Sequence, residues 1–110
     1  MEKIVKQSLL FDFYGKLLTE HQQNVYQDAV FNDMSLSEVA DNYGISRQGV
    51  HDLLKRCDKT MEEYEAKLKL IEKFSDIKEK LSEITKLSEE ADDQVGKKIT
   101  QLATDILEEL

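Results

Sequence analysis

The stretch Leu36-Ser37-Glu38-Val39-Ala40-Asp41-Asn42-Tyr43-Gly44-Ile45-Ser46-Arg47-Gln48-Gly49-Val50-His51-Asp52-Leu53-Leu54 decides the fold. Just ahead of it, Ser35 pairs with Glu38 three residues on as a capping box, which satisfies free amides at a helix start. Met34 and Val39 stand at the spacing of a hydrophobic staple across that start. The helix must end at Gly44, the residue best able to adopt the left-handed conformation beyond a helix C-terminus. Ser46 then caps a second helix, and Ile45 and Val50 repeat the staple spacing. Ala40 is small where two helices cross closely, Val50 follows Gly44 by six, and Val39, Tyr43, Ile45 and Leu53 supply the contacts that lock a steep crossing angle. Two capped starts around one glycine turn predict a helix-turn-helix over about residues 36 to 55.

Upstream, Ile4, Leu10, Phe11, Tyr14, Leu17 and Leu18 recur at helical spacing and predict a helix over residues 3 to 17 with a broad apolar face. Thr19 and Gln22 form a second capping box, opening a helix to about Phe31 with Val25, Tyr26 and Ala29 inward. Asn32-Asp33-Met34 connects it to the motif. Downstream the apolar positions continue through Cys57, Met61, Tyr64, Leu68, Ile71, Phe74, Ile77, Leu81, Ile84 and Leu87. Steps of three recur where four is expected, so separate packed helices are predicted rather than one long coiled coil. Breaks are expected near Ser75 and Ser88. Ser88 before Glu89 and Glu90 reads as a helix start with acids at the positive dipole end. The last helix would run through Ala91, Val95, Ile99, Leu102 and Ile106 towards Leu110.

The chain has 110 residues, no proline and four glycines, which suits long helices and argues against a turn-rich β fold. The fold class expected is all-α: a wingless helix-turn-helix bundle over residues 1–60, then an amphipathic helical tail over 61–110 for packing or dimerisation. A chain this short has a modest core, so the tail's long apolar face is expected to be buried against the first domain, in a homodimer, or both. Apolar residues at 40% and charged residues at 35% describe a folded bundle rather than a disordered segment. A lone cysteine, Cys57, makes no internal disulfide and fits a reducing compartment. Asp12 interrupts the apolar run near the N-terminus, so no signal peptide is read, and no stretch approaches the roughly 20 apolar residues of a membrane span. The expected location is the cytoplasm.

The formal net charge of −8 runs against the basic surplus usual for nucleic-acid binders. Residues 1–59 hold nine acids and seven bases, net −2, whereas residues 60–110 hold fourteen and eight, net −6. The acidity sits in the second half, and the first half is free to present a local basic stripe. Arg47, His51 and Lys55 lie at i, i+4 and i+8 on the face opposite Val50 and Leu53. Ser46 and Gln48 sit at the helix end that would enter a major groove. Arginine binds guanine in bidentate fashion and glutamine suits adenine. Lys55, Arg56 and Lys59 are placed to reach phosphates. The candidate nucleic-acid-binding residues are therefore Ser46, Arg47, Gln48, His51, Lys55, Arg56 and Lys59. Asp52 opposes this reading, because its carboxylate repels a backbone or demands a cytosine amino group. A solvated or protein-binding face is the alternative for the same stripe. His51 fits either a base or phosphate contact or simple exposure.

Catalysis finds little support. His21 and His51 are far apart, and no nucleophile carries a recognisable local signature. The acidic pairs Glu62-Glu63, Glu89-Glu90 and Asp92-Asp93 are adjacent in sequence and so do not face one another on a helix. Neither a zinc-spaced cysteine–histidine cluster nor a glycine-rich phosphate loop is present. The expectation is a non-enzyme with no cofactor and no metal. Cys57 falls on an apolar face as a small buried hydrophobe, and Tyr14, Tyr26, Tyr43 and Tyr64 read as core residues with wet hydroxyls.

Leu17-Leu18-Thr19-x-x-Gln22, Ser35-Leu36-Ser37-Glu38-Val39-Ala40 and Gly44-Ile45-Ser46-Arg47-Gln48-x-Val50-His51-Asp52-x-Leu54-Lys55-Arg56 resemble the promoter-reading fourth region of bacterial sigma factors. With Leu10-Phe11-Asp12-Phe13-Tyr14 ahead of them, they more closely resemble the YlxM family of bacterial helix-turn-helix proteins. The resemblance covers roughly residues 9 to 72, and residues 75–110 align with nothing. Where that family usually has alanine after Arg-Gln, this chain has Gly49, which costs a helix about 0.5–1 kcal/mol. The resemblance implies a regulatory nucleic-acid-binding protein, with DNA favoured over RNA. It also implies a link to the signal recognition particle pathway, drawn from the company the family's genes keep. The alternative is a protein-interaction module that docks on a particle component without reading nucleic acid.

Overall fold

The computed structural model describes residues 2–91 and 93–110, so the acidic pair Asp92-Asp93 is described at Asp93 alone. Among the described residues there are six α-helices and no strand: α1 (Lys3–Tyr14), α2 (Glu20–Tyr26), α3 (Leu36–Tyr43), α4 (Arg47–Leu68), α5 (Leu70–Ala91) and α6 (Gln94–Glu109). A 3-10 turn, Gly15–Leu17, follows α1, and a π turn, Gln27–Phe31, closes α2. The protein is all-α and divides into two units, one ending at Lys69 and one beginning at Leu70. The expected boundary near residue 60 falls inside α4, which runs unbroken through it.

In the first unit α1 and α4 lie side by side and parallel. Gln7 Nε2 donates to Asp58 Oδ2 at 3.2 Å and Tyr14 donates to Glu65 Oε1 at 2.6 Å, each pair 51 residues apart. Lys6 and Glu62 add an exposed ion pair at 3.1 Å. Leu10, Tyr14, Leu18, Tyr26, Cys57 and Met61 are buried in this unit. Phe11 stacks on Tyr26 at 5.3 Å between ring centroids. Gly15 keeps this packing open, since a Cβ there would lie 2.9 Å from the Phe11 ring.

Two residues assigned to the buried face of the first helix are exposed: Ile4 at 46% and Leu17 at 57%. Leu17 lies in the 3-10 turn, whose tighter winding of about three residues per turn carries it off the line that Leu18 completes.

The helix-turn-helix forms as its caps dictate. Thr19–Gln22 and Ser35–Glu38 both close as reciprocal capping boxes. Gly44 adopts φ 65°, and its N–H bonds Ala40 O to finish α3. Val25, Val39, Ala40 and Val50 form the core of the motif, with Met34, Leu36, Tyr43, Ile45, Leu53 and Leu54 packed around them. Tyr43 donates from the end of α3 to Asp28 in the π turn, and Asn32 donates to the other oxygen of that carboxylate.

The second unit is a hairpin of α5 and α6. The breaks expected near Ser75 and Ser88 do not occur, because α5 passes through both. Ser88 is buried against α6: its hydroxyl donates to Thr85 O at 3.0 Å, so the Thr100 hydroxyl supplies the proton of their mutual bond. The capping role falls instead to Asp93, whose Oδ1 accepts from Gly96 N–H at 2.6 Å. The earlier break comes at Lys69, which ends α4 in the left-handed conformation at φ 54° with its N–H on Glu65 O. Leu81, Ser88, Gly96 and Ala103 are the buried contacts of the hairpin.

Candidate nucleic-acid interface

The start of α4 is set by Ser46, whose Oγ accepts the Gly49 N–H at 2.9 Å. An alanine Cβ at Gly49 would stand 3.1 Å from that same oxygen, so the small residue leaves the cap unstrained. Val50 is fully buried beneath, and Leu53 and Leu54 are half-buried. Ser46, Arg47, Gln48, His51, Lys55, Arg56 and Lys59 are all exposed.

The structure sorts these side chains into groups. Arg47, Gln48 and His51 converge with Leu36 of α3 around an open depression of about 410 Å³. Arg56 is nine positions beyond Arg47, about 180° around the helix at 100° per residue. It lines a separate groove of about 380 Å³ with His21, Gln22, Ile45, Gly49, Asp52 and Leu53. Lys55 and Lys59 line neither depression. The His21 ring meets Tyr43 edge-on at 5.8 Å, which fixes that wall of the second groove.

Asp52 is engaged rather than bare. Gln48 Nε2 donates to its Oδ1 at 2.9 Å, and His51 Nδ1 lies 3.8 Å from the same oxygen. A Gln–Asp pair at i, i+4 on a helix is the sequence signal for that bond. The roles of Leu36, His21 and Gln22 have no comparable signal, because they reach the site from other helices. Behind the motif, Tyr43 and Asn32 hold the Asp28 carboxyl below its usual range, while Asp28 raises the Tyr43 phenol.

Among the described residues no three His, Cys, Asp or Glu side chains are grouped to hold a metal ion, and no helix is long and apolar enough to cross a membrane.

The family described as "Putative helix-turn-helix protein, YlxM / p13 like" matches residues 1–102. That span takes in much of the C-terminal hairpin, beyond the residue-72 limit of the resemblance read from sequence motifs. The UPF0122 protein YlxM of Bacillus subtilis (strain 168) is 40% identical over 88 residues, 80% of each chain. The UPF0122 protein of Shouchella clausii (strain KSM-K16) is 44% identical over 86 residues, 78% of this chain and 79% of its own. In Thermoanaerobacter sp. (strain X514) a UPF0122 protein is 41% identical over 106 residues, 92% of this chain and 91% of its own.

Proposed function

Because the chain belongs to this YlxM / p13-like helix-turn-helix family, we propose that it is a regulatory nucleic-acid-binding protein, not an enzyme, that reads duplex DNA with the start of α4. The observation that carries the reading is the convergence of exposed Arg47, Gln48 and His51 at the capped end of a helix whose opposite face is locked into the motif core. Ser46 adds a hydroxyl at the same end, while Lys55, Arg56 and Lys59 serve as phosphate contacts on either side. The hairpin of the second unit carries a row of exposed apolar side chains, including Leu87, Val95 and Leu102. A second copy covering that row would give a homodimer with two reading helices at a fixed spacing, which suits duplex recognition. The place of action is the cytoplasm, a reducing compartment that suits the lone thiol of Cys57, and its context is the signal recognition particle pathway, carried by the family resemblance.

The same exposed row supports a second reading. With eleven acids and six bases over residues 70–110, net −5, the hairpin offers an apolar face within an acidic surround. A basic protein component of the particle would fit it, with no nucleic-acid readout.

A salt titration separates the two, using random duplex DNA, the particle's RNA and a control RNA. The parent would be compared with an Arg47→Glu/Lys55→Glu variant checked for helicity. Roughly three or four phosphate contacts predict a slope of log affinity on log salt near −3. Binding that weakens with salt and vanishes in the variant supports nucleic acid, and the preferred probe distinguishes DNA from RNA. Absence of binding at about 50 mM salt, where phosphate contacts are strongly favoured, overturns the reading and leaves the protein-interaction module.

A further inference from the structure

We infer that Asp52 is a positioning residue that fixes Gln48 for adenine, an inference that rests on duplex DNA being the ligand. Gln48 stands one residue beyond the first residue of α4, is exposed, and shares its depression with Arg47 and His51. Its terminal amide has two N–H donors and one acceptor oxygen. One of those donors is used by Asp52 Oδ1 at 2.9 Å. An ionised carboxylate only accepts, so the flipped amide would press oxygen against oxygen, and Asp52 selects a single orientation. What remains to face a ligand is one N–H and the carbonyl oxygen.

That remainder matches one base edge. Adenine offers N7 as acceptor and the N6 amino group as donor, which a glutamine amide meets in bidentate fashion. Guanine offers two acceptors, N7 and O6, and the second now meets the glutamine oxygen instead of an N–H. A glutamine free to turn could give both of its protons to guanine; Gln48 has only one left to give. The carboxylate that counts against phosphate binding thereby sharpens base choice.

The test uses the full chain and a duplex library with a randomised central stretch, sequencing the bound pool for the parent, Gln48→Ala, Asp52→Ala and Asp52→Glu. Gln48 and Asp52 are both exposed, and circular dichroism confirms that each variant is folded. The parent is expected to favour adenine over guanine at one position on the order of tenfold, and Gln48→Ala to lose that preference. Asp52→Ala should lose it too while binding the whole library more tightly, because a negative charge has gone. Asp52→Glu, which keeps the carboxylate within reach, should restore the preference. A purely electrostatic Asp52 would raise affinity and leave base choice unchanged. An unchanged adenine preference in Asp52→Ala, or a parent without a Gln48-dependent adenine preference, overturns the inference while duplex binding itself stands. A parent that binds no duplex overturns the DNA reading and the inference with it.

Discussion

Tyr26 donates its phenolic proton to Asp58 Oδ1, and Gln7 Nε2 reaches the same carboxylate from α1, so one acid ties three helices together. Tyr26 is fully buried, with its ring stacked on Phe11. Burial, then the hydrogen bond to Asp58 and the Asp58 charge, push the phenol far above the ordinary tyrosine range.

Removing the hydroxyl with Tyr26→Phe keeps the ring packing and leaves Asp58 with Gln7 alone, at a cost of about 1–3 kcal/mol. The raised phenol also makes the fold lose stability at alkaline pH. A group held protonated by folding contributes its full stability below the unfolded value, about 10 for tyrosine, and loses it as pH rises further. Urea midpoints should therefore be level near neutral pH and fall on the alkaline side, with a shallower fall above about pH 10 in Tyr26→Phe. Equal alkaline slopes in parent and variant would show that Tyr26 does not carry the effect.

Cys57 is the neighbour of Asp58 and has no exposed surface. Burial foremost, and then the Asp58 charge, push its thiol up to about 11. At pH 8 such a thiol is ionised to about one part in a thousand, so its native reactivity depends on opening of the fold. Labelling with iodoacetamide at pH 8 should be slower in the native protein than in urea by orders of magnitude. The rate should climb with urea below the unfolding midpoint. Prompt native labelling would place Cys57 at the surface.

Gly44 is the turn of the motif. Its φ of 65° is left-handed, and a Cβ built there meets no atom within 4 Å. Gly44→Ala should thus carry backbone strain alone, about 1–2 kcal/mol, with Gly44→Asn costing less because asparagine tolerates this region. Denaturant midpoints would order parent, Asn, Ala. Loss of folding in the alanine variant would mean that the space is not open.

Local chemistry explains why so much of the motif was legible. Capping boxes at Thr19 and Ser35, the Ser46 cap and the Gly44 turn each depend on residues within a few positions of one another. The faults lie where a distant partner decides. Ser88 looks like a cap in isolation, yet the opposing Thr100 makes it a buried link in a continuous helix. Lys69 carries no signal for a left-handed turn, and the π turn at Gln27–Phe31 has none either. At the candidate site, helical spacing gave the exposed stripe but not its division, which depends on Leu36 from α3 and His21 from α2. From the sequence Asp52 reads as a charge that repels a backbone or demands a cytosine amino group, although its bond to Gln48 follows a known i, i+4 pattern.

Gly96 presents the opposite case to Gly44. A Cβ there would fall 2.5 Å from Ser88 O and 3.2 Å from both Ala91 Cβ and Asp93 Oδ1. The backbone of α5 cannot turn aside like a flexible side chain, so Gly96→Ala must spread the hairpin, costing about 1–3 kcal/mol. Amide hydrogen exchange resolves where the damage falls. Protection should drop in α5 and α6 while the helix-turn-helix core keeps the parent's rates. Unaltered protection around Ser88 would refute the close approach.

The exposed row of the hairpin makes the last prediction. Leu87 and Val95 are each 67% exposed, and with Ile84, Ala91 and Ile99 they line an apolar groove of about 310 Å³. Side chains this open contribute little within one chain, so Leu87→Glu/Val95→Glu should leave helicity and urea midpoint of the monomer nearly unchanged. If a second copy covers the row, the added charges are desolvated without partners on association, at several kcal/mol each. Sedimentation should then show a dimer for the parent and a monomer for the variant, with duplex affinity reduced because the two reading helices are no longer linked. A parent that sediments as a monomer at all concentrations would assign the row to a different protein, and a variant that remains dimeric would move the dimer contact elsewhere on the chain.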